Sequence, residues 1–155
     1  MQQQHPNVIA KPPRIFITFM ALGFILNALF PLSIYASAYS WPVILGALLS
    51  LDGIIVLTMA MRRFKKRGTP VSTSERVSAI VSDGIYRFSR NPIYLGMFLA
   101  YFGIFLMANN AWGLILGVAL YLIMHFGVIL REERYLTSRF GDDYQQYLSR
   151  VRRWI

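Results

Sequence analysis

Two short stretches hold residues whose types and spacing suit chemistry. The first, residues 77–94, contains Asp83, Gly84, Tyr86, Arg87, Arg90, Asn91, Pro92 and Tyr94, and the second opens with Arg131, Glu132, Glu133 and Arg134. Asp83 with Gly84 marks a turn, and Pro92 fits the first turn of a helix, where its missing N–H would lack an intrahelical partner. A helix is therefore predicted to begin near Asn91. Its free backbone N–H groups and positive dipole end suit a carboxylate or other anionic group. Glu132 and Glu133, at the mouth of a helix bundle beside that terminus and Arg90, suit a polar or cationic ligand. The plainer alternative is that the pair merely sits on a surface-lying helix.

The rest of the chain must position these groups, and its composition points to a membrane. Of 155 residues, 55% are hydrophobic and 15% charged, with 16 Lys plus Arg, 7 Asp plus Glu and a formal net charge of +9. Soluble domains average roughly 45–50% apolar and about 25% charged residues. Mean hydropathy is +0.45. Disorder, a collagen repeat and a disulfide scaffold are excluded by this composition. The absence of Cys removes thiolate metal sites and a Cys nucleophile, and no metal site is expected.

No Asp, Glu, Lys or Arg occurs at residues 15–51 or 91–130. One crossing needs about 20 apolar residues, so each run holds two. Breaks at Pro31 and around Tyr39 to Pro42 suggest helices over residues 15–35 and 43–61. Asn109 and Asn110 divide the second run into helices over 93–107 and 112–130. An all-α integral membrane fold follows, a single domain of about four transmembrane helices arranged as two hairpins. Its parts are a polar N-terminus (1–14), a first hairpin (15–61), a middle loop (62–92), a second hairpin (93–130) and a C-terminal amphipathic helix (131–155).

Basic residues accumulate in cytoplasmic segments, and here all of them lie before the first helix, between the hairpins or after the fourth helix. Both termini and the middle loop are therefore expected in the cytoplasm. The positive charge is a membrane-surface signal that attracts lipid headgroups, not a nucleic-acid footprint. Ala36, Ser37 and Ala38 resemble a signal-peptide cleavage site, but the preceding apolar run exceeds the usual 7–15 residues, so a retained helix is expected. The basic run from Arg62 to Arg67 reads as a stop-transfer anchor.

After Arg131, the residues Leu136, Phe140, Tyr144, Tyr147, Leu148, Val151 and Ile155 recur every three or four positions, giving an amphipathic helix interrupted at Gly141 and restarted with Asp142 as N-cap. Asp52 falls near the middle of the second helix, where a carboxylate must face protein, water or substrate. A structural partner such as Asn27 or a Tyr is the favoured reading, and a substrate-lining role the other. His125, alone in the fourth helix, reads as a hydrogen-bonded core residue, and with His5 as the only other histidine a bis-His haem is unavailable within one chain.

From Arg62 onward the chain resembles the isoprenylcysteine carboxyl methyltransferase and phospholipid methyltransferase group of integral membrane enzymes. The resemblance rests on RRFKKRGTP (62–70), G-x-Y-R-x-x-R-N-P-x-Y-x-G (84–96) and EERYLTSRFGDDYQQYLSRVRRW (132–154), in that order. It implies S-adenosylmethionine as methyl donor, with cofactor positions falling on Ile80, Val81, Tyr86, Asn91, Pro92, Ile93, Tyr94 and Glu132, and with Gly96 and Glu133 close by. The sequence departs from the isoprenylcysteine enzymes at Asn91 and Ser78, where those usually carry His. Asn replaces an imidazole as a donor but not as a titrating group.

The resemblance also implies a methyl acceptor that is lipophilic or lipid-anchored and enters from the membrane. Carboxyl O-methylation of an isoprenylcysteine-like substrate is the favoured expectation. A carboxylate is already ionised at neutral pH and needs no general base. No catalytic base is therefore named, and Arg90 and Arg131 are the candidates for orienting an anionic substrate. Phospholipid amine N-methylation is the alternative, and a non-catalytic membrane scaffold the competitor from another class.

Overall fold

The computed structural model describes residues 6–36, 40–68 and 79–155, and among them every regular element is helical. Expectations for Ser78, for the Thr69–Pro70 end of the basic stretch, for His5 and for most of the Ala36-Ser37-Ala38 triplet lie outside the described residues. The protein is an all-α integral membrane protein. Helix α1 spans Pro12–Leu29, α2 Ser40–Lys66, α3 Pro92–Met107 and α4 Ala111–Met124. A π-helical turn at His125–Ile129 leads into α5 (Leu130–Phe140), followed by α6 (Asp142–Arg150). By length and apolarity Pro12–Leu29, Trp41–Lys66 and Ala111–Phe140 can cross a membrane. Helix α3 is shorter, 16 residues, or about 24 Å at 1.5 Å rise against a hydrocarbon core of about 30 Å.

Several boundaries move, each for a local reason. Helix α1 starts at Pro12 instead of residue 15, because Pro12 and Pro13 occupy positions where a missing N–H costs nothing. It stops at Leu29, not 35, since Pro31 cannot continue it. The Leu32 N–H is taken by the Asn27 side chain at 3.2 Å. Helix α2 runs on through the basic stretch to Lys66, where Arg and Lys are good helix formers and face the negative end of the dipole. At the far end Gly141, with φ 53 and ψ −125, is itself the cap between α5 and α6. Asp142 is thus the first helical residue, not the N-cap, and α6 ends at Arg150 instead of running to 155.

The second hairpin packs on itself, α3 against α4, but the first does not. Helix α1 packs on α4 and α2 packs on α3, while α1 and α2 share no substantial contact among the described residues. The α2–α3 pair is drawn together by glycines seven residues apart on each helix, Gly46 with Gly53 and Gly96 with Gly103. A Cβ built on Gly53 would lie 2.6 Å from the Gly96 carbonyl oxygen, and one on Gly96 would lie 2.6 Å from that of Gly53. Small residues at such a crossing let backbones touch, which is how helices gain packing energy where lipid removes the hydrophobic drive. On the opposite face of α3, Phe98, Tyr101 and Phe105 meet α1 and α4. Phe16 stands edge-on to Phe98 at 4.9 Å, and Tyr101, Phe105, Leu120 and Met124 are fully buried.

The end of the bundle away from the candidate site is tied by Asn109 and Asn110. Asn109, at φ 50, accepts from the backbone of Ile34 and Tyr35 at 2.8 and 3.0 Å. Asn110 caps α4 through Gly113 N–H and donates to the Gly23 carbonyl at 3.1 Å. Of the two residues expected only to break a helix, Asn109 therefore also fastens the α1–α2 loop to the α3–α4 turn, and Asn110 fastens α1 itself.

Asp52 finds neither expected partner. Asn27 is engaged by Leu32, and Asp52 is exposed on α2 without a hydrogen-bond or ion-pair partner among the described residues. His125 is likewise not hydrogen-bonded through Nδ1. Its ring stacks on Tyr121 at 5.6 Å instead.

Candidate functional site

The two chemical stretches converge at one end of the bundle. Gly84, at φ 62, opens a short 3₁₀ turn (Gly84–Arg87) that carries Tyr86 inward, and Asn91 with Pro92 starts α3. Opposite them α5 brings Glu132 and Glu133, and α6 folds back over the opening with Tyr144 and Tyr147. The turn is held from α2, because Arg63 and Arg67 both pair with Asp83, at 3.2 and 3.4 Å. The basic stretch that reads as an anchor thus also positions the turn.

Between these elements lies a cleft of about 120 Å³ that opens at its mouth, smaller than the roughly 300–1,000 Å³ typical of ligand pockets. Ile80, Val81, Tyr86, Asn91, Pro92, Ile93, Tyr94, Glu132 and Glu133 all line it, as does Arg90. Two expected residues do not. Gly96 lies one turn deeper in α3 and faces α2, where any side chain would strike the Gly53 carbonyl and Leu57. Arg131 points away, donating to the Asn7 carbonyl at 2.9 Å.

Phe64, Tyr135, Leu136, Tyr144 and Tyr147 also line the cleft without having been singled out for it. Their signal was present in part. Leu136, Tyr144 and Tyr147 belong to the apolar face read from the periodicity, but that face closes on residues 79–90, with the Tyr147 hydroxyl donating to the Tyr86 carbonyl at 2.7 Å. Phe64 stacks obliquely on Tyr86 at 5.4 Å from within the basic run.

The two glutamates have different surroundings. Tyr94 donates its hydroxyl hydrogen to Glu132 Oε1 at 2.7 Å. Both Glu133 oxygens are instead held by Arg153, at 3.0 and 2.7 Å, with Arg90 at 3.4 Å from the same carboxylate. Hydrogen bonding to Glu133 raises the Arg153 pKa further, so the guanidinium stays charged. Burial pushes the phenols of Tyr86, Tyr144 and Tyr147 far above their ordinary range, so they remain neutral donors. The Tyr86 hydroxyl and Arg90 Nε are buried without partners in the structure, and buried donors of this kind demand an acceptor.

The fit to S-adenosylmethionine can be judged on these groups. Ile80, Val81 and Phe64 offer an apolar wall beside Tyr86 for a flat base, and the second Glu132 oxygen suits hydroxyl or ammonium donors. The orphan donor on Arg90 and the Asn91 side suit a carboxylate. No cluster of metal-ligating side chains occurs among the described residues.

The model of the phospholipid methyltransferase family matches residues 41–143. The chain belongs to that family. The matched region takes in α2, the turn, α3, α4 and α5, hence both walls of the cleft. Named relatives are similar over parts of the chain. Protein-S-isoprenylcysteine O-methyltransferase of Schizosaccharomyces pombe is 40% identical over 73 residues, which is 46% of this chain and 30% of that protein. Methanethiol S-methyltransferase 1 of Bradyrhizobium diazoefficiens is 42% identical over 67 residues, 43% of this chain and 22% of that protein. The Saccharomyces cerevisiae isoprenylcysteine O-methyltransferase is 29% identical over 119 residues, 76% and 50% respectively. The chain therefore spans half or less of each of these family members.

Proposed function

We propose that the protein is an S-adenosylmethionine-dependent methyltransferase acting on a lipophilic or lipid-anchored acceptor, with carboxyl O-methylation of an isoprenylcysteine-like substrate as the favoured reaction. One observation carries the reading: the segments shared with the family close around a single cleft in which Tyr94 holds Glu132 from the opposite wall. The named relatives act on an isoprenylcysteine and on methanethiol.

S-adenosylmethionine brings a methyl group already activated on a sulfonium, so the protein has to align and desolvate the partners. Glu132, fixed by Tyr94, accepts from hydroxyl or ammonium groups of the cofactor. Tyr86 and the apolar wall take the base, and Arg90 and Asn91 meet carboxylate oxygens. The lid formed by Tyr144 and Tyr147 limits water. Glu133 has both oxygens engaged by Arg153, and Asn91 does not titrate. A carboxylate acceptor, already ionised at neutral pH, needs no deprotonation. The family model favours phospholipid amine N-methylation as the second reading, in which the amine must shed its proton elsewhere. On charge placement, the cleft and both ends of the chain face the cytoplasm.

Calorimetry on the detergent-purified protein tests the proposal, with Glu132→Gln/Glu133→Gln as control. Saturable binding of S-adenosylmethionine that disappears in the variant is expected. A folded protein that binds none would support a non-catalytic scaffold.

A further inference from the structure

After α6 the chain turns extended at Val151 and runs back across the cleft end of the bundle as a strap. Val151 is buried against Tyr144 and Tyr147, and the Trp154 ring stands 5.9 Å from Phe98 and 5.8 Å from Tyr121. Between these two apolar anchors the strap is held by the segment leading into α3 and by α5. The Arg152 carbonyl accepts from the Arg90 backbone N–H at 3.0 Å. The Arg153 carbonyl accepts from the Asn91 side chain at 3.0 Å and from the Ser89 hydroxyl at 3.4 Å. The Arg153 guanidinium then grips both oxygens of Glu133. The strap thereby joins the start of α3 to the start of α5, the two walls of the cleft.

We infer that Arg153 is a positioning residue, which occupies Glu133 so that Arg90 keeps a donor free for the carboxylate of the cofactor's amino-acid end. The inference rests on the function proposed above. Its logic is a competition for one carboxylate. Glu133 is largely enclosed, as is Arg90, with 13% and 12% of their side chains exposed, and two such groups left alone form a paired fork. Arg153 already takes both Glu133 oxygens, so Arg90 reaches Glu133 only at 3.4 Å and through one nitrogen, while its Nε stays buried and unpartnered. Without Arg153, Glu133 would close on Arg90 and withdraw it from the ligand.

The test compares two ligands on the full chain in detergent. S-adenosylmethionine carries the amino-acid end, and 5′-methylthioadenosine lacks it. Arg153→Ala is expected to weaken S-adenosylmethionine at least about tenfold, the scale of a charge-assisted contact, and to leave 5′-methylthioadenosine within about twofold by the same arithmetic. Adding Glu133→Gln to Arg153→Ala removes the competitor and should recover part of the lost affinity. Arg153→Lys, which offers a single point contact, should fall between. If Arg153→Ala does not fold, the Lys variant carries the same two-ligand comparison.

Equal losses for both ligands, or no loss for either, would overturn the positioning role. Failure of the folded wild-type protein to bind either ligand would overturn the proposed function, and this role with it. Wild-type binding with an unselective Arg153 variant would sink the role alone.

Discussion

Tyr94 donates a hydrogen bond of 2.7 Å to Glu132, so the first turn of α3 sets the carboxylate that α5 places in the cleft. Hydrogen bonds to charged groups contribute about 1.5–3 kcal/mol. Tyr94→Phe keeps the ring and removes the donor, and should weaken S-adenosylmethionine roughly tenfold or more with helix content intact. Calorimetry with circular dichroism on the same sample checks this. An unchanged affinity would mean that Glu132 is held in place by its packing alone.

Alkaline titration reads the buried phenols. Tyr86, Tyr144 and Tyr147 keep their protons in the folded state well above the ordinary value of 10.0, chiefly because burial disfavours the phenolate. In the unfolded chain the same groups ionise near 10, so there the folded state binds more protons. Stability should be flat on their account below pH 10 and should fall as pH rises past it. Tyrosinate absorbance should show part of the nine tyrosines ionising only together with loss of structure. Smooth ionisation of all nine in a folded protein would contradict the burial.

Gly96 tests the seam between α2 and α3. Its neighbours across the seam are backbone atoms of α2, which cannot step aside as the far end of a side chain does. Gly96→Val should lower thermal stability by at least the about 1–3 kcal/mol typical of overpacking. Gly68→Ala, which places a side chain at a φ of 61, should cost its local backbone strain. Differential unfolding of the two purified variants separates the effects.

Asp52 sits ten residues from Arg62 and eleven from Trp41, about 15 Å from either interface at 1.5 Å per residue. An exposed carboxyl group at that depth costs about 2.5–3.5 kcal/mol on insertion scales. Asp52→Leu should therefore lower the apparent insertion free energy of the α2 segment by about that amount, measured by glycosylation mapping in microsomes. An unchanged value would mean that the carboxyl group finds a polar partner during insertion.

Helix limits were legible wherever a residue acts locally. Pro92 started α3, Asn109 and Asn110 ended it, and Gly141 divided the last two helices, because each effect needs only its neighbours in sequence. Packing partners were not legible in the same way. Helices that are apolar on all sides carry no angular signal, so nothing in α1 or α2 announced that one would choose α4 and the other α3. At the site, the period of Leu136, Tyr144 and Tyr147 told which residues share a face, not what covers it. The several arginines near the glutamates are alike as letters. Only the return of the chain after α6 selects Arg153 for Glu133 and leaves Arg131 outside.

The pairing of α1 with α4 also has a consequence for biogenesis. A ribosome delivers α1 to the bilayer before α3 and α4, yet the surface that receives Phe16 and Gly23 exists only once those two helices have emerged. Helix α1 therefore cannot take its final packing until α4 has emerged, so the first pair of helices does not complete its packing as a hairpin. The asparagine latch between the 30–36 loop and the Asn109 turn must form late for the same reason, since it joins residues 75 and 74 positions apart.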